Sequence, residues 1–126
     1  MSEVLNCIAI DDDPLLLRKL EVYMEDISWI NFLASYSSPV KGATAIVESK
    51  PDLVLLDIEM PHIDGHYLID WIKPRLDLME KPPTVIIVSS LTVPKEDQAE
   101  GIAGYINKAN VTSPAELEAM LKEIIG

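Results

Sequence analysis

Positive charge is scarce in this chain. The 126 residues include 10 Lys and Arg against 21 Asp and Glu, which gives a formal net charge of -11. A surface this acidic repels the phosphates of nucleic acids and the headgroups of anionic lipids, and no cluster of basic residues offsets that repulsion. We therefore expect proteins and cations as partners, with no direct binding of this segment to nucleic acid or to a membrane.

Long apolar runs and cysteine are also scarce. No stretch approaches the roughly 20 apolar residues of a membrane-spanning helix, and Met1-Ser2-Glu3 does not resemble the start of a signal peptide. The single cysteine, Cys7, can form no internal disulfide, and we expect it to be a buried structural thiol in a cytoplasmic protein. A Gly-rich phosphate loop follows none of the apolar runs, which argues against a nucleotide-binding enzyme.

What the chain does have is a regular alternation of short apolar runs with amphipathic stretches. The length suits one domain, residues 1–126, and the 48% hydrophobic content is enough for a core. The alternation predicts an α/β fold of five β-α units, with a parallel sheet covered by helices on both faces. The predicted strands are Leu5–Ile10, Asn31–Tyr36, Leu53–Leu56, Thr84–Val88 and Gly104–Asn107.

The helices carry their own start signals. A polar cap followed by proline occurs three times, at Asp13-Pro14, Ser38-Pro39 and Ser113-Pro114. The first helix is predicted to face the core with Leu16, Leu20, Tyr23, Met24 and Ile27, and the last with Leu117, Met120, Leu121, Ile124 and Ile125.

Two helices are less regular. The third is predicted to begin at Gly65, to face the sheet with Leu68, Ile72 and Leu76, and to kink or break at Pro74. The fourth, between Leu91 and Gly101, has little apolar periodicity, so we expect it to be short or mobile.

Three acids stand at the ends of predicted strands. Asp11 and Asp12 follow the first strand, and Asp57 follows the third. Aspartate disfavours strand interiors, and the carboxyl ends of strands in an open parallel sheet are where ligands bind. If the first and third strands are neighbours, the three carboxylates share one pocket, and a hard divalent cation would relieve their repulsion.

Two further polar residues fall at the same edge. Ser89 follows the fourth strand and Lys108 follows the fifth. Acids that bind a cation, a further acid, a hydroxyl and an ammonium together suit phosphoryl transfer onto a carboxylate, which can act as a covalent nucleophile.

These residues carry a resemblance to a known family. The chain resembles a receiver domain of a two-component response regulator, of the kind related to chemotaxis regulators, over essentially its whole length. The matching segments are Asp11-Asp12, Asp57-Ile58-Glu59-Met60-Pro61 with Gly65, Ser89, and Tyr105-Ile106-Asn107-Lys108. The resemblance implies a flavodoxin-like, doubly wound (βα)5 sandwich with its sheet in the order 2-1-3-4-5.

The resemblance also implies a metal-dependent phosphoacceptor. Asp57 would accept the phosphoryl group from a histidine kinase or a phosphotransfer protein. Mg²⁺ (or Mn²⁺) would be bound by Asp57, by Asp12 directly, by Asp11 through water and by the backbone carbonyl of Glu59. The domain would support its own phosphorylation and dephosphorylation and would not be an enzyme on external substrates.

The remaining implied roles concern signalling. Ser89 would hydrogen-bond a phosphoryl oxygen and Lys108 would pair with the phosphoryl group. Tyr105 would turn inward as Ser89 moves, which would shift the surface formed by the fourth helix, fifth strand and fifth helix between two packings. That surface would bind an unknown downstream protein or a second copy of the domain.

The sequence departs from the family at three places. The family lysine is usually followed by proline through a cis bond, whereas Ala109 follows Lys108 here. Either a cis bond to a non-proline residue, which costs roughly 3 kcal/mol, or another loop path is expected. The segment between Ser89 and Tyr105 is short for the family, and the acid at Glu59 lies where side chains influence the lifetime of the phosphate.

Two other functions compete. The altered Lys108-Ala109 loop motivates a receiver-like interaction module that does not need phosphate. A haloacid-dehalogenase-like phosphatase also uses an aspartate after an apolar strand. However, Asp57-Ile58-Glu59 lacks the second Asp of that motif, and the Asp11-Asp12 pair precedes the nucleophile instead of following it.

Overall fold

The chain is built around a five-stranded sheet in which every pairing is parallel. The structure is a computed structural model, and it describes residues 4–57, 59–60, 63–64, 70, 73–91 and 101–126. The strands of this sheet are β1 (Leu5–Ile10), β2 (Ile30–Tyr36), β3 (Leu53–Leu56), β6 (Thr84–Ser89) and β7 (Gly104–Asn107). Two short strands, β4 (Glu59–Met60) and β5 (Ile63–Asp64), form a separate antiparallel pair.

The strand order places β1 and β3 side by side. The sheet runs β2-β1-β3-β6-β7, which is the predicted order 2-1-3-4-5 when the small antiparallel pair is set aside. Ile10 lies opposite Leu56 and Leu56 lies opposite Ile87, so the carboxyl ends of three central strands are level. The chain segments that leave these strands therefore begin at one edge.

Helices cover both faces of the sheet, as the fold class requires. Helices α1 (Pro14–Met24) and α4 (Pro114–Ile125) pack on one face, with α2 (Pro39–Ser49) on the other. Each face has its own apolar core, and β3 is buried along its whole length. Cys7 lies inside the first core, as predicted, where burial raises the pKa of its thiol.

The three helix starts marked by a polar cap and a proline are confirmed. Asp13 accepts a hydrogen bond from the backbone N–H of Leu15 at 3.0 Å. Ser38 and Ser113 cap α2 and α4 in the same way, each with a proline at the start of the helix. Among the helices that the structure describes, none is long and apolar enough to cross a membrane.

The predicted inner faces of the first and last helices are confirmed with one exception. The five residues predicted for the first helix pack in the core, and so do Leu117, Met120, Leu121 and Ile124 of α4. The prediction was wrong for Ile125, which is 37% exposed. Ile124 takes the place against the sheet, directly over Gly104, while Ile125 is the last residue of the helix.

The two irregular helices are described only in part. Residues 73–77 form a helix, α3, and Leu76 packs against the core on the α2 side, as predicted. Leu68, Ile72 and the predicted start at Gly65 lie outside the described residues, as does 92–100, where the fourth helix was expected.

Close packing of α2 against β1 gives a testable prediction. A Cβ added to Gly42 would lie 2.5 Å from the Cδ1 and Cγ1 atoms of Ile10, whose side chain is fully buried. Gly to Ala within a helix ordinarily stabilises by about 1 kcal/mol, but overpacking costs about 1–3 kcal/mol. Gly42→Ala should therefore lower the free energy of unfolding by about 1 kcal/mol in urea titrations.

The exposed position Thr44 on the same helix provides the control. Thr44→Ala should raise stability slightly, since alanine is the better helix former and nothing buried is disturbed. Equal gains from both substitutions would contradict the close contact between Gly42 and Ile10.

Candidate functional site

The fold brings the three predicted acids together. Asp11 and Asp57 follow β1 and β3, and the backbone N–H of Asp57 donates to the carbonyl of Ile10 at 2.9 Å, which ties the two strand ends to each other. The carboxylates of Asp11, Asp12 and Asp57 offer ligand atoms that all lie within 4.8 Å of one another. The sequence placed these residues at one edge, and the geometry joins them into a single cluster.

Lys108 follows β7 and completes the cluster at the same edge of the sheet. Its Nζ lies 3.0 Å from Asp11 Oδ2 and 3.4 Å from Asp57 Oδ2. No peptide bond in the described part of the chain is cis, so Lys108-Ala109 is trans. Of the two expected alternatives, a cis bond or another loop path, the structure has the other loop path. The ammonium of Lys108 still reaches both carboxylates.

The electrostatics of the pair of buried acids are unusual. Asp11 is 2% exposed and Asp57 is 1% exposed. Burial raises the pKa of Asp11 from 3.8 to about 6, and the charge of Asp57 adds to this. The hydrogen bond from the Asp13 N–H to Asp11 Oδ1, 2.8 Å long, and the ammonium of Lys108 oppose the rise.

The pKa of Lys108 is raised as well, although burial acts on an ammonium in the opposite sense. Burial by itself would lower the pKa of Lys108, but its hydrogen bond to Asp11 and the charges of Asp11 and Asp57 outweigh that effect and raise it. Lys108 therefore stays protonated at neutral pH. Three carboxylates and one ammonium leave the cluster with a surplus of negative charge.

The donor set fits a hard divalent cation. Closely spaced carboxylate oxygens are what Mg²⁺ and Mn²⁺ prefer, and a dication would offset the surplus charge. Asp12 is more exposed than the two buried acids, which gives such an ion a face toward solvent. Glu59 lies in β4, two residues beyond Asp57; its carbonyl as a ligand stays a prediction.

Ser89 and Tyr105 lie on the strands next to the acids. Ser89 is buried, and its Oγ accepts a hydrogen bond from the Leu91 N–H at 3.1 Å. It is the last residue of β6, one longer than predicted, because it pairs with Asn107 of β7. Tyr105 is half-buried and packs against the core on the α2 side, so a switching role stays a prediction.

The capping role of one residue in the site region, Asn107, was missed by sequence reasoning. Asn107 Oδ1 accepts a hydrogen bond from the Ala109 N–H at 2.9 Å and caps the short 3₁₀ helix Lys108–Asn110. Asparagine often bonds the backbone two residues further along in turns, and this was the available signal.

A comparison with family models identifies the family of the chain. The model described as "Response regulator receiver domain" matches residues 7–122. That range contains the three acids, Ser89 and Lys108.

Curated relatives match over part of their own length. The chain is 31% identical over 72 residues to "Transcriptional regulatory protein BtsR" of Escherichia coli (strain K12), covering 57% of this chain and 30% of that protein. It is 33% identical over 90 residues to "Protein-glutamate methylesterase/protein-glutamine glutaminase 1" of Oleidesulfovibrio alaskensis, covering 71% of this chain and 23% of that protein. The chain thus spans less than a third of these relatives.

Solved structures share the fold. The signal receiver domain of the putative response regulator NarL from Mycobacterium tuberculosis superposes with a TM-score of 0.78 at 23% identity, over 98% of both chains. The response regulator domain of CheB from Thermotoga maritima gives a TM-score of 0.75 at 23% identity, over 97% of this chain and 94% of that one. With the family model matching nearly all of its residues, the chain belongs to the family of response regulator receiver domains of two-component systems.

Proposed function

We propose that residues 1–126 form a single receiver domain in which Asp57 accepts a phosphoryl group from a histidine kinase or a phosphotransfer protein. One observation carries the proposal: a buried carboxylate lies 3.4 Å from an ammonium and within the same cluster as two further acids. A nucleophile, a charge-neutralising cation and metal ligands are the groups that this transfer needs.

The phosphoryl transfer to Asp57 forms one bond and breaks one bond. A carboxylate oxygen of Asp57 attacks phosphorus, an O–P bond forms, and the P–N bond to the phosphohistidine of the donor breaks. The electron pair leaves with the imidazole nitrogen, which takes up a proton. Lys108 stabilises the negative phosphoryl oxygens, because its ammonium already lies beside Asp57.

Receiver domains bind Mg²⁺ at their acidic pocket, and this chain has such a cluster of Asp residues. In the proposal Asp57, Asp12, Asp11 through water and the Glu59 carbonyl hold Mg²⁺ or Mn²⁺. When bound, the ion neutralises phosphoryl oxygens and lowers the repulsion between the incoming phosphate and the acids.

Ser89 links the site to the output surface in the proposal. Its Oγ accepts from Leu91, and a hydroxyl that accepts one bond can still donate its hydrogen to a phosphoryl oxygen. Movement of Ser89 would make room for Tyr105 to turn inward. The two residues lie on neighbouring strands, β6 and β7, which supports such coupling.

Family membership also supports proposals about the partners, the output surface and the location of the protein. A receiver domain implies interaction with histidine kinases or phosphotransfer proteins. We propose that β7 and α4 form the surface for a downstream protein or a second copy, together with the segment between Leu91 and Gly101 for which the sequence predicts a helix. We also propose a cytoplasmic location, no activity on external substrates and no direct contact with nucleic acid, given the net charge of -11.

Incubation with Mg²⁺ and acetyl phosphate tests the proposal by intact mass. The parent should gain one phosphoryl group, and a chelator should abolish the gain, because the acids need a cation to tolerate the phosphate. Asp57→Ala should show no gain, whereas Asp26→Ala, at an exposed acid, should match the parent.

Two results would count against the proposal. One is a parent protein that stays unmodified and shows no change in the NMR signals of Ser89 and Tyr105 when beryllofluoride is added. That result would favour the phosphate-independent module. A gain that persists in Asp57→Ala would move the acceptor to another residue.

A further inference from the structure

We infer that Asn107 is a positioning residue for phosphoryl transfer, since its side chain caps the 3₁₀ turn that carries Lys108 and so holds the ammonium beside Asp57 and Asp11. The inference rests on the proposed function. It concerns the place where this chain has Ala109 instead of the usual proline.

The turn is fixed at its near end by Asn107. Asn107 ends β7, paired with Ser89, and its Oδ1 accepts the Ala109 N–H at 2.9 Å. The backbone of Lys108 therefore lies between Asn107, which is paired in the sheet, and Ala109, whose N–H is bound by the Asn107 side chain. The direction in which Lys108 leaves the strand is set by that bond.

The far end of the turn is held by the core and by α1. Val111 is 1% exposed within the core on the α1 side, and its N–H donates to the carbonyl of Lys108 at 3.1 Å. Lys19 Nζ donates to the Val111 carbonyl at 3.3 Å, and the Tyr23 hydroxyl donates to the Thr112 carbonyl at 3.1 Å. Both ends of the turn are thus tied, and Asn107 provides the tie nearer the site.

The ammonium depends on this backbone. A lysine side chain has four rotatable bonds, but burial restricts them, so a shift of the Lys108 Cα is passed on to the ammonium. At 19% side-chain exposure the Lys108 side chain is largely buried, with its tip between two carboxylates. A misplacement of about 1 Å at a reacting group can cost about 100-fold in rate, so a loosened turn should slow phosphorylation.

Asn107→Ala should lower the maximal rate of phosphorylation by acetyl phosphate about tenfold, in line with partial misplacement of the ammonium. Mg²⁺ affinity should stay unchanged or rise, because a displaced ammonium competes less for the acids. A merely structural role would weaken metal binding and rate together, so a loss of rate without a loss of Mg²⁺ affinity identifies positioning.

A double-mutant cycle with Lys108 tests the route of the effect. If Asn107 acts through Lys108, Asn107→Ala should cause no further loss of rate in a Lys108→Met background. Losses that multiply in the double variant would overturn the inference.

Two substitutions test the cap itself. Asn107→Ser keeps an oxygen acceptor and should recover much of the parent rate. Ala109→Pro introduces the residue usual in the family but removes the N–H that Asn107 binds, so it should slow phosphorylation. A proline variant as fast as the parent would overturn the inference.

Asn31→Ala is the matched control, since it removes an asparagine hydrogen bond from β2 (to Asn6 Oδ1, 3.1 Å) away from the site. It should leave the phosphorylation rate and the Mg²⁺ affinity at parent values.

Failure of the proposed function and failure of this inference give different results. A parent protein that takes up no phosphate would contradict the proposed function. A parent that is phosphorylated, with an Asn107→Ala variant that is unaffected, would contradict this inference alone.

Discussion

Replacing Asp11 with asparagine is expected to raise the free energy of unfolding of the metal-free protein at pH 7 by up to about 3 kcal/mol. Burial raises the pKa of Asp11 from 3.8 to about 6. Holding this carboxylate ionised inside the fold therefore costs stability, and D11N removes the charge while keeping the shape.

The pH dependence gives the sign of the effect. Because the pKa is higher in the folded state, the folded protein binds more protons between pH 3.8 and about 6. Stability then falls as pH rises through that window. The gain from D11N should be small at pH 4 and should reach its full value above pH 6, as measured by urea unfolding at several pH values in EDTA.

Magnesium should narrow this difference in stability between the parent and D11N. A ligand that binds the folded state at ten times its Kd stabilises by about 1.4 kcal/mol, and D11N lacks one of the proposed ligand acids. Mg²⁺ should therefore raise the Tm of the parent far more than that of D11N.

The control is D26N, which removes the same charge from an exposed position. It should show neither the pH window nor the altered response to Mg²⁺. If D11N and D26N change stability alike, the effect comes from net charge and not from burial of Asp11.

The strands and acids could be predicted from sequence because each depends on local pattern. The runs Leu5–Ile10, Leu53–Leu56 and Gly104–Asn107 are each followed by a charged residue, and the structure ends the strands at the same positions. A parallel sheet brings such ends to one edge whatever the loops do. The cluster of acids therefore followed from the strand order alone.

The path after Lys108 could not be predicted because it depends on a balance between contacts. A cis bond and a trans turn were both compatible with Ala109. The trans path is supported by the bond from the Ala109 N–H to Asn107 and by the burial of Val111. Those contacts form only once β7 and α1 are in place, so residue types in order do not reveal them.

Local pattern also fails where a neighbour decides burial. Ile124 and Ile125 are the same residue type in one apolar stripe, yet Ile124 faces the space left by Gly104 and Ile125 is 37% exposed. Ser89 joined its strand because Asn107 offers it a partner. In each case the deciding residue is far away in sequence.

Lys108→Met should have the opposite effect on stability from D11N. Removing one partner of a buried ion pair costs about 3–5 kcal/mol, and here the loss leaves Asp11 and Asp57 facing each other without the ammonium that lies 3.0 and 3.4 Å away. The metal-free variant should be destabilised by about that amount at pH 7. The loss should shrink at low pH, where one carboxyl takes up a proton.

Metal binding and phosphorylation by the Lys108→Met variant should then move in opposite directions. Mg²⁺ should bind about tenfold more tightly, because no ammonium competes for the carboxylates. Phosphorylation by acetyl phosphate should slow by about 100-fold or more, since the group that neutralises phosphoryl charge is gone. Lys122→Met, on the exposed side of α4, is the control and should leave both at parent values. Weaker binding of Mg²⁺ by Lys108→Met would mean that the lysine supports the acid cluster instead of competing with the ion, and the charge argument for this site would fail.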